Sequence, residues 1–146
     1  ISHYKMSIRH KPGYIMAHHN LGVALFAIKN VEEAIFHYKV AIKLKPDYPM
    51  AHTNLGNALF ASGKTGEAIA HYKAVIKLKP DYTEAHHNLG IVLVQIGKIK
   101  EAIHHYREIL RQKPDFVSAQ KNLEMALLLA DKMKKLENQP IKTSSD

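Results

Sequence analysis

The chain has 146 residues, of which 46% are hydrophobic, which is enough apolar material for one packed domain. It carries a formal net charge of +8 and has no cysteine, so disulfides and thiolate metal sites are excluded. No run of 18 apolar residues occurs, and we therefore predict no membrane segment in this sequence.

A block of 34 residues occurs three times in the chain. Its first half begins Ala-His-x-Asn-Leu-Gly, and its second half contains Glu-Ala-Ile-x-His-Tyr. The first motif starts at residues 17, 51 and 85, and the second starts at residues 33, 67 and 101. A fixed period of this length predicts a stack of two-helix units rather than a domain with one central core.

The predicted elements begin in the middle of a unit, because residues 1–4 align with residues 35–38. Such a start indicates a piece of a longer protein. We divide the chain into 1–14, the second half of a truncated repeat; full units at 15–48, 49–82 and 83–116; a capping helix at 117–139; and a disordered tail at 140–146. We predict first helices near 16–28, 50–61 and 84–96, and second helices near 31–44, 65–78 and 99–112.

The turns within the units are predicted from glycine. Gly63 and Gly97 lie where a positive φ costs glycine nothing. In the first unit Lys29 and Asn30 replace that glycine, and we expect Asn30 to take the left-handed conformation. Residues 117–138 form one longer helical pattern without a turn glycine, which Pro140 should end.

Small and large residues alternate at the predicted interface between the two helices of a unit. Glycines at positions 22, 56 and 90 leave room for the facing helix, with alanines at 34, 68 and 102 as the small counterpart. Tyrosines at 38, 72 and 106 supply ring area at the same interface.

These slots resemble the tetratricopeptide repeat, which reads W-x2-L-G-x2-Y, then A-x3-F, then P. The first unit has His18-x2-Leu21-Gly22-x2-Leu25, then Ala34-x3-Tyr38, then Pro46. The resemblance extends over residues 1–128, with His in place of the usual Trp. It implies an all-α fold, a right-handed α-solenoid of antiparallel helix pairs, whose first helices line a concave groove.

The resemblance also implies which residues line that groove. Asparagines recur at one slot and would form a ladder that can bind a peptide backbone: Asn20, Asn54, Asn88 and Asn122. The other groove residues implied are His19, His87, Asn57, Phe26, Phe60 and Met50. In the alternative interpretation, the asparagine side chains bond to the neighbouring helix and set the superhelical pitch; both roles can coexist.

Members of the family that clamp a C-terminal carboxylate use lysine and arginine at fixed slots. Those slots hold His19, Glu84 and Asn88 here, or Thr53, Ser118 and Asn122 when the register is shifted by one unit. Because a carboxylate needs charge-assisted donors, we do not expect such a clamp.

The eleven histidines do not predict a metal site, because no two are spaced three or four residues apart on one helix. We expect His18, His52 and His86 to be half-buried packing residues. We expect His37, His71 and His105 to be exposed. No catalytic motif occurs, so we predict no enzyme activity, no cofactor and no metal for this chain.

The sequence therefore predicts a protein–protein interaction scaffold that binds a protein or peptide partner. The alternative is a non-catalytic, substrate-presenting arm of a larger enzyme, similar to the arrays of O-linked GlcNAc transferase-like glycosyltransferases. Nucleic-acid binding is the third interpretation, because paired cations recur along the second helices: Lys39 and Lys43, Lys73 and Lys77, Arg107 and Arg111. We also expect either self-association through the open N-terminal end, where Ile1, Tyr4 and Ile8 lack a partner helix, or fraying of that helix. The sequence leaves the compartment undetermined, with the cytoplasm favoured.

Overall fold

The computed structural model describes residues 1–138, which form eight α-helices with no strand among them. The helices are α1 (Ser2–His10), α2 (Ile15–Ala27), α3 (Val31–Leu44), α4 (Pro49–Ala61), α5 (Thr65–Leu78), α6 (Thr83–Gln95), α7 (Ile99–Gln112) and α8 (Val117–Glu137). The second helices coincide with the predicted ranges, and the first helices begin one residue earlier than predicted. The predicted end of the capping helix at 139, the stop at Pro140 and the tail at 140–146 lie outside the described residues.

The turns within the units share one backbone geometry. Gly63 and Gly97 have φ values of 80° and 78°, as predicted. The prediction for Asn30 is wrong, because Lys29 has the positive φ of 65° while Asn30 has a φ of −83°. Lys29 occupies the slot of the two glycines, so the repeated geometry of the turn overrides the preference of the local residue. Asn30 instead donates its side-chain amide to Glu33 at 2.7 Å.

The helices stack so that the first helices share one surface. Each first helix packs against the second helix of its unit, and each second helix packs against the first helix of the next unit. Successive first helices α2, α4, α6 and α8 also contact one another. Within residues 1–138, no Cα atoms of successive second helices come within 8 Å of each other. The first helices therefore form the closer, inner side of the stack.

The core is continuous from α2 to α8, and a tyrosine on each second helix fills its centre. Tyr38, Tyr72 and Tyr106 are each 1% exposed. A Cβ atom built on Gly22, Gly56 or Gly90 would lie 2.6 Å from the Cε1 atom of the tyrosine in its unit. The expected alanine counterparts are buried too, but the tyrosine ring is the group that occupies the space beside each glycine.

The two terminal helices contribute less to this core. No residue of α1 is fully buried, although Tyr4 and Ile8 pack against the core, and Met6 is 58% exposed. Only Ala119 and Ala126 are fully buried in α8. None of the described helices is both long and apolar enough to cross a membrane.

Candidate functional site

The predicted asparagine ladder lies on the surface shared by the first helices, and its amides connect successive units. Asn54 donates from Nδ2 to His19 Nε2 at 3.0 Å, and Asn122 donates in the same way to His87 Nε2 at 3.2 Å. Asn88 donates to Asn57 Oδ1 at 2.9 Å. Each of these asparagines therefore bonds to the first helix of the preceding unit, as the alternative interpretation expects. Each amide also keeps a second N–H and an oxygen that could serve a ligand.

His19 is the most enclosed of the predicted groove residues, with 4% of its surface exposed. Its ring lies 6.0 Å from the Tyr38 ring and 5.1 Å from the Tyr48 ring, measured between centroids. Burial lowers the pKa of His19, so that the imidazole is held neutral. Because its Nε2 accepts from Asn54, its Nδ1–H donates to Asn20 Oδ1 at 3.3 Å. His19 thus orders the ladder rather than offering a free surface.

Four of the predicted groove residues come together in one pocket of about 290 Å³ in the middle of the surface. The lining residues are Phe26, Asn57, Phe60, Tyr72, Asn88, Ile91 and Val92. Asn57 Oδ1 accepts from the Tyr72 hydroxyl at 2.7 Å as well as from Asn88. These two donors orient the Asn57 amide, and its Nδ2 group has no hydrogen-bond partner within the described part of the chain. The pocket is therefore apolar with one oriented N–H donor group, a combination suited to an apolar side chain next to a carbonyl.

The remaining predicted residues lie along the same surface but outside this pocket. Met50 is 48% exposed at the start of α4, and Asn20 and Asn122 lie towards the two ends of the ladder. The sequence did not predict Tyr72 as a lining residue. It lies on a second helix, and its hydroxyl reaches the inner surface only because the unit folds back at Gly63.

The prediction of exposed histidines on the second helices is wrong. His37 is buried, and His71 and His105 are partly buried. Each lies with its Nδ1 atom 3.0 Å from Nδ1 of the histidine in the predicted packing position of the same unit: His18, His52 or His86. The physical reason is that the two rings face each other across the contact between the helices. No group of three or more potential metal ligands occurs within residues 1–138.

Family models match most of the repeated region. The model described as TPR repeat matches residues 24–63 and 56–97, and the model described as tetratricopeptide repeat matches residues 83–116. Together they span residues 24–116, which is more than half of the chain. No curated protein matches the chain.

Several solved structures share the fold. The first TPR domain of human RPAP3 is 25% identical, with a TM-score of 0.77, over 84% of this chain and 98% of that one. The Sgt2 TPR domain from Aspergillus fumigatus is 21% identical, with a TM-score of 0.79, over 90% of this chain and 89% of that one. The first TPR of Spaghetti (RPAP3), bound to the HSP90 peptide SRMEEVD, is 23% identical, with a TM-score of 0.77, over 80% of this chain and 93% of that one.

Proposed function

Because this chain belongs to the tetratricopeptide repeat family and is a protein–protein interaction scaffold, we propose that it binds an extended peptide segment along its first helices. The observation that carries the proposal is the pocket between Phe26 and Phe60, which opens beside the asparagine ladder. A similar fold binds an HSP90 peptide in the Spaghetti complex. The chain itself would contribute binding rather than catalysis.

In this proposal the asparagine ladder binds the backbone of the segment and the pocket binds one of its side chains. An amide group can donate and accept at once, so the free groups of the ladder, on Asn20, Asn54, Asn88 and Asn122, match the backbone of an extended segment. The pocket takes one large apolar side chain of that segment. Affinity then depends on the anchor, since a few buried apolar contacts usually dominate binding energy.

The charges along the surface indicate which segment fits. Two charged residues occupy positions on the first helices that the family resemblance assigns to the groove, Glu84 on α6 and Lys121 on α8, and both are exposed. No cluster of cations therefore lies along these slots to hold a carboxylate. We infer that the preferred segment is internal and uncharged around its anchor, in contrast to an acidic sequence such as SRMEEVD.

An array of short, uncharged peptides, each with one large apolar residue, tests this proposal. Phe60→Gln should weaken the best peptides at least about tenfold, because the pocket loses apolar lining. Phe36→Gln is the matched control, since Phe36 is 59% exposed on the second helix α3. Amidation of the peptide C-terminus should leave binding unchanged. Wild-type affinity in a folded Phe60→Gln variant would contradict the pocket, and loss of binding on amidation would contradict the internal segment.

The alternative is the substrate-presenting arm of a larger, O-linked GlcNAc transferase-like enzyme, because the repeat arrays of such enzymes resemble this chain in having asparagine at the same slot. Reading the full-length gene would discriminate the two. Nucleic-acid binding and self-association through α1 stay as predictions. Oligonucleotide affinity at two salt concentrations tests the former, and sedimentation of the chain tests the latter.

A further inference from the structure

Each full unit contains a pair of histidines that join its two helices. The two Nδ1 atoms are 3.0 Å apart in every pair, and the ring centroids are 5.1 or 5.2 Å apart. The histidine pairs are His18 with His37, His52 with His71, and His86 with His105. At this distance one nitrogen donates and the other accepts.

The loop before each unit decides which ring donates. The Nε2 atoms of His18, His52 and His86 lie 3.0, 2.8 and 2.9 Å from the carbonyl oxygens of Pro12, Pro46 and Pro80. Since a carbonyl can only accept, each of these rings carries its hydrogen on Nε2. Its Nδ1 is therefore an acceptor, and the histidine on the second helix donates from Nδ1.

The fourth unit shows that the bond to the loop does not require histidine. Gln120 occupies the corresponding slot and donates its side-chain amide to the Pro114 carbonyl at 2.7 Å. An amide holds the loop without titrating. The histidine pairs therefore add a property that the loop contact alone does not need.

That property is a limit on the number of protons that a folded histidine pair can bind. One added proton leaves the bond between the rings in place, because each Nε2 atom then carries a hydrogen and a third hydrogen lies between the two Nδ1 atoms. A second added proton would put a hydrogen on both Nδ1 atoms, and two N–H groups would then face each other at 3.0 Å. We propose that the histidine pairs make the repeat stack acid-sensitive, because a folded pair rejects the second proton that the unfolded chain accepts.

The charges around the pairs act in both directions. Lysines of the preceding second helix oppose protonation of the second-helix rings: Lys5 for His37, Lys39 for His71 and Lys73 for His105. A glutamate one turn earlier on the same helix favours it: Glu33, Glu67 or Glu101. His104 also opposes protonation of His105, and the charge of Glu108 interacts with His86.

Burial and then the paired ring lower the pKa of His37, His71 and His105, in the last case to about 4. An unfolded histidine has a pKa of about 6.5. The contribution of each pair to stability is therefore complete above that value and is lost as the pH falls below it, in the case of His105 down to about 4. This conclusion does not depend on what the inner surface binds.

Urea unfolding of the chain between about pH 7.5 and about pH 5 tests the proposal. For each proton that the unfolded chain binds and the folded pair does not, the equilibrium constant for unfolding rises by up to about tenfold as the pH falls by one unit. Three pairs together therefore reach about a thousandfold. In the variant His71→Asn with His105→Asn, each new asparagine amide donates to the first-helix histidine at neutral pH. When that histidine is protonated, the amide can turn so that its oxygen accepts instead. That variant should show a change per pH unit about a hundredfold smaller than the wild type, because only the remaining pair and the buried His19 still reject a proton.

The matched control is His3→Asn with His10→Asn, which removes two exposed histidines of α1. It should keep the pH dependence of the wild type. Equal pH dependence in the paired variant and the wild type would overturn the proposal.

Nitrogen-15 spectra of the wild-type imidazoles at neutral pH give a second test that does not require any variant to fold. The two rings of each pair should show opposite tautomers, with the hydrogen on Nε2 in the first helix and on Nδ1 in the second. The same tautomer in both rings of the pairs would overturn the proposal.

Discussion

Among residues 1–138, Lys29 is the non-glycine residue with a positive φ. Its φ of 65° places an exposed lysine in the left-handed region, at the slot of Gly63 and Gly97. That conformation costs a residue with a Cβ atom about 1–2 kcal/mol. The repeated contacts of the neighbouring helices offset this cost.

Replacing Lys29 by glycine should therefore raise the free energy of unfolding by about 1 kcal/mol, because relief of the strain exceeds the added entropy of the unfolded chain. Chemical denaturation measures the change. The reverse substitution, Gly63→Ala, should lower stability by a similar amount, since no atom within 4 Å would clash and only the backbone is strained. A less stable Lys29→Gly variant would show that the lysine side chain contributes more than the strain costs.

At the scale of the helices, each unit is held by a tyrosine ring that lies against a glycine. Glycine in the middle of a helix costs about 1 kcal/mol relative to alanine. The structure explains why the glycine is retained, because a Cβ atom on Gly56 would lie 2.6 Å from Cε1 of Tyr72. In α8 the same slot holds Glu124, which is exposed, so α8 does not offer a site for such a ring.

We predict that Gly56→Ala destabilises the chain by about 1–3 kcal/mol, although alanine favours helix, because Tyr72 must move. Gly66→Ala is the matched control. Gly66 is exposed in the first turn of α5, and a Cβ atom added there would have no neighbour within 4 Å, so helix propensity should add about 0.5–1 kcal/mol. Thermal unfolding compares the two, and a neutral Gly56→Ala would contradict close packing of the ring.

At the scale of the whole molecule, stability depends on contacts between neighbouring units. A stack of this kind has roughly additive stability from each unit and each interface. The helices of the middle units pack on both sides, whereas α1 packs against α2 and reaches α3 through the exposed ion pair of Lys5 and Glu33, and α8 packs against α6 and α7. The ends of the stack should therefore open more easily than its centre.

Native-state hydrogen exchange should show this gradient. Amides of α4, α5 and α6 should exchange slowest, and those of α1 and of α8 after Ala130 should exchange fastest, because these end segments have no fully buried residue. Mass spectrometry of peptic fragments measures the order. Equal protection of all eight helices would mean that the stack unfolds as a single unit.

Much of the fold could be predicted because the information is local and repeated. The period of 34 residues, the glycines at the turns and the prolines after the second helices determine where each helix begins and ends. The asparagine slot on the first helices follows from the same period. Three copies of each signal support one another, which is why the predicted and observed bounds of the first and second helices in the full units agree to within one residue.

The contacts between helices could not be predicted in the same way. The histidine pairs join residues 19 positions apart, and Tyr72 meets Asn57 across 15 positions. Such contacts depend on the angle at which two helices cross and on the rotamers of long side chains, which sequence periodicity does not specify. The sequence by itself determined the helices, the turns and the repeat. Only the tertiary structure decided that the second-helix histidines are paired, that Lys29 is left-handed and that the inner surface has a pocket, because each depends on packing between helices.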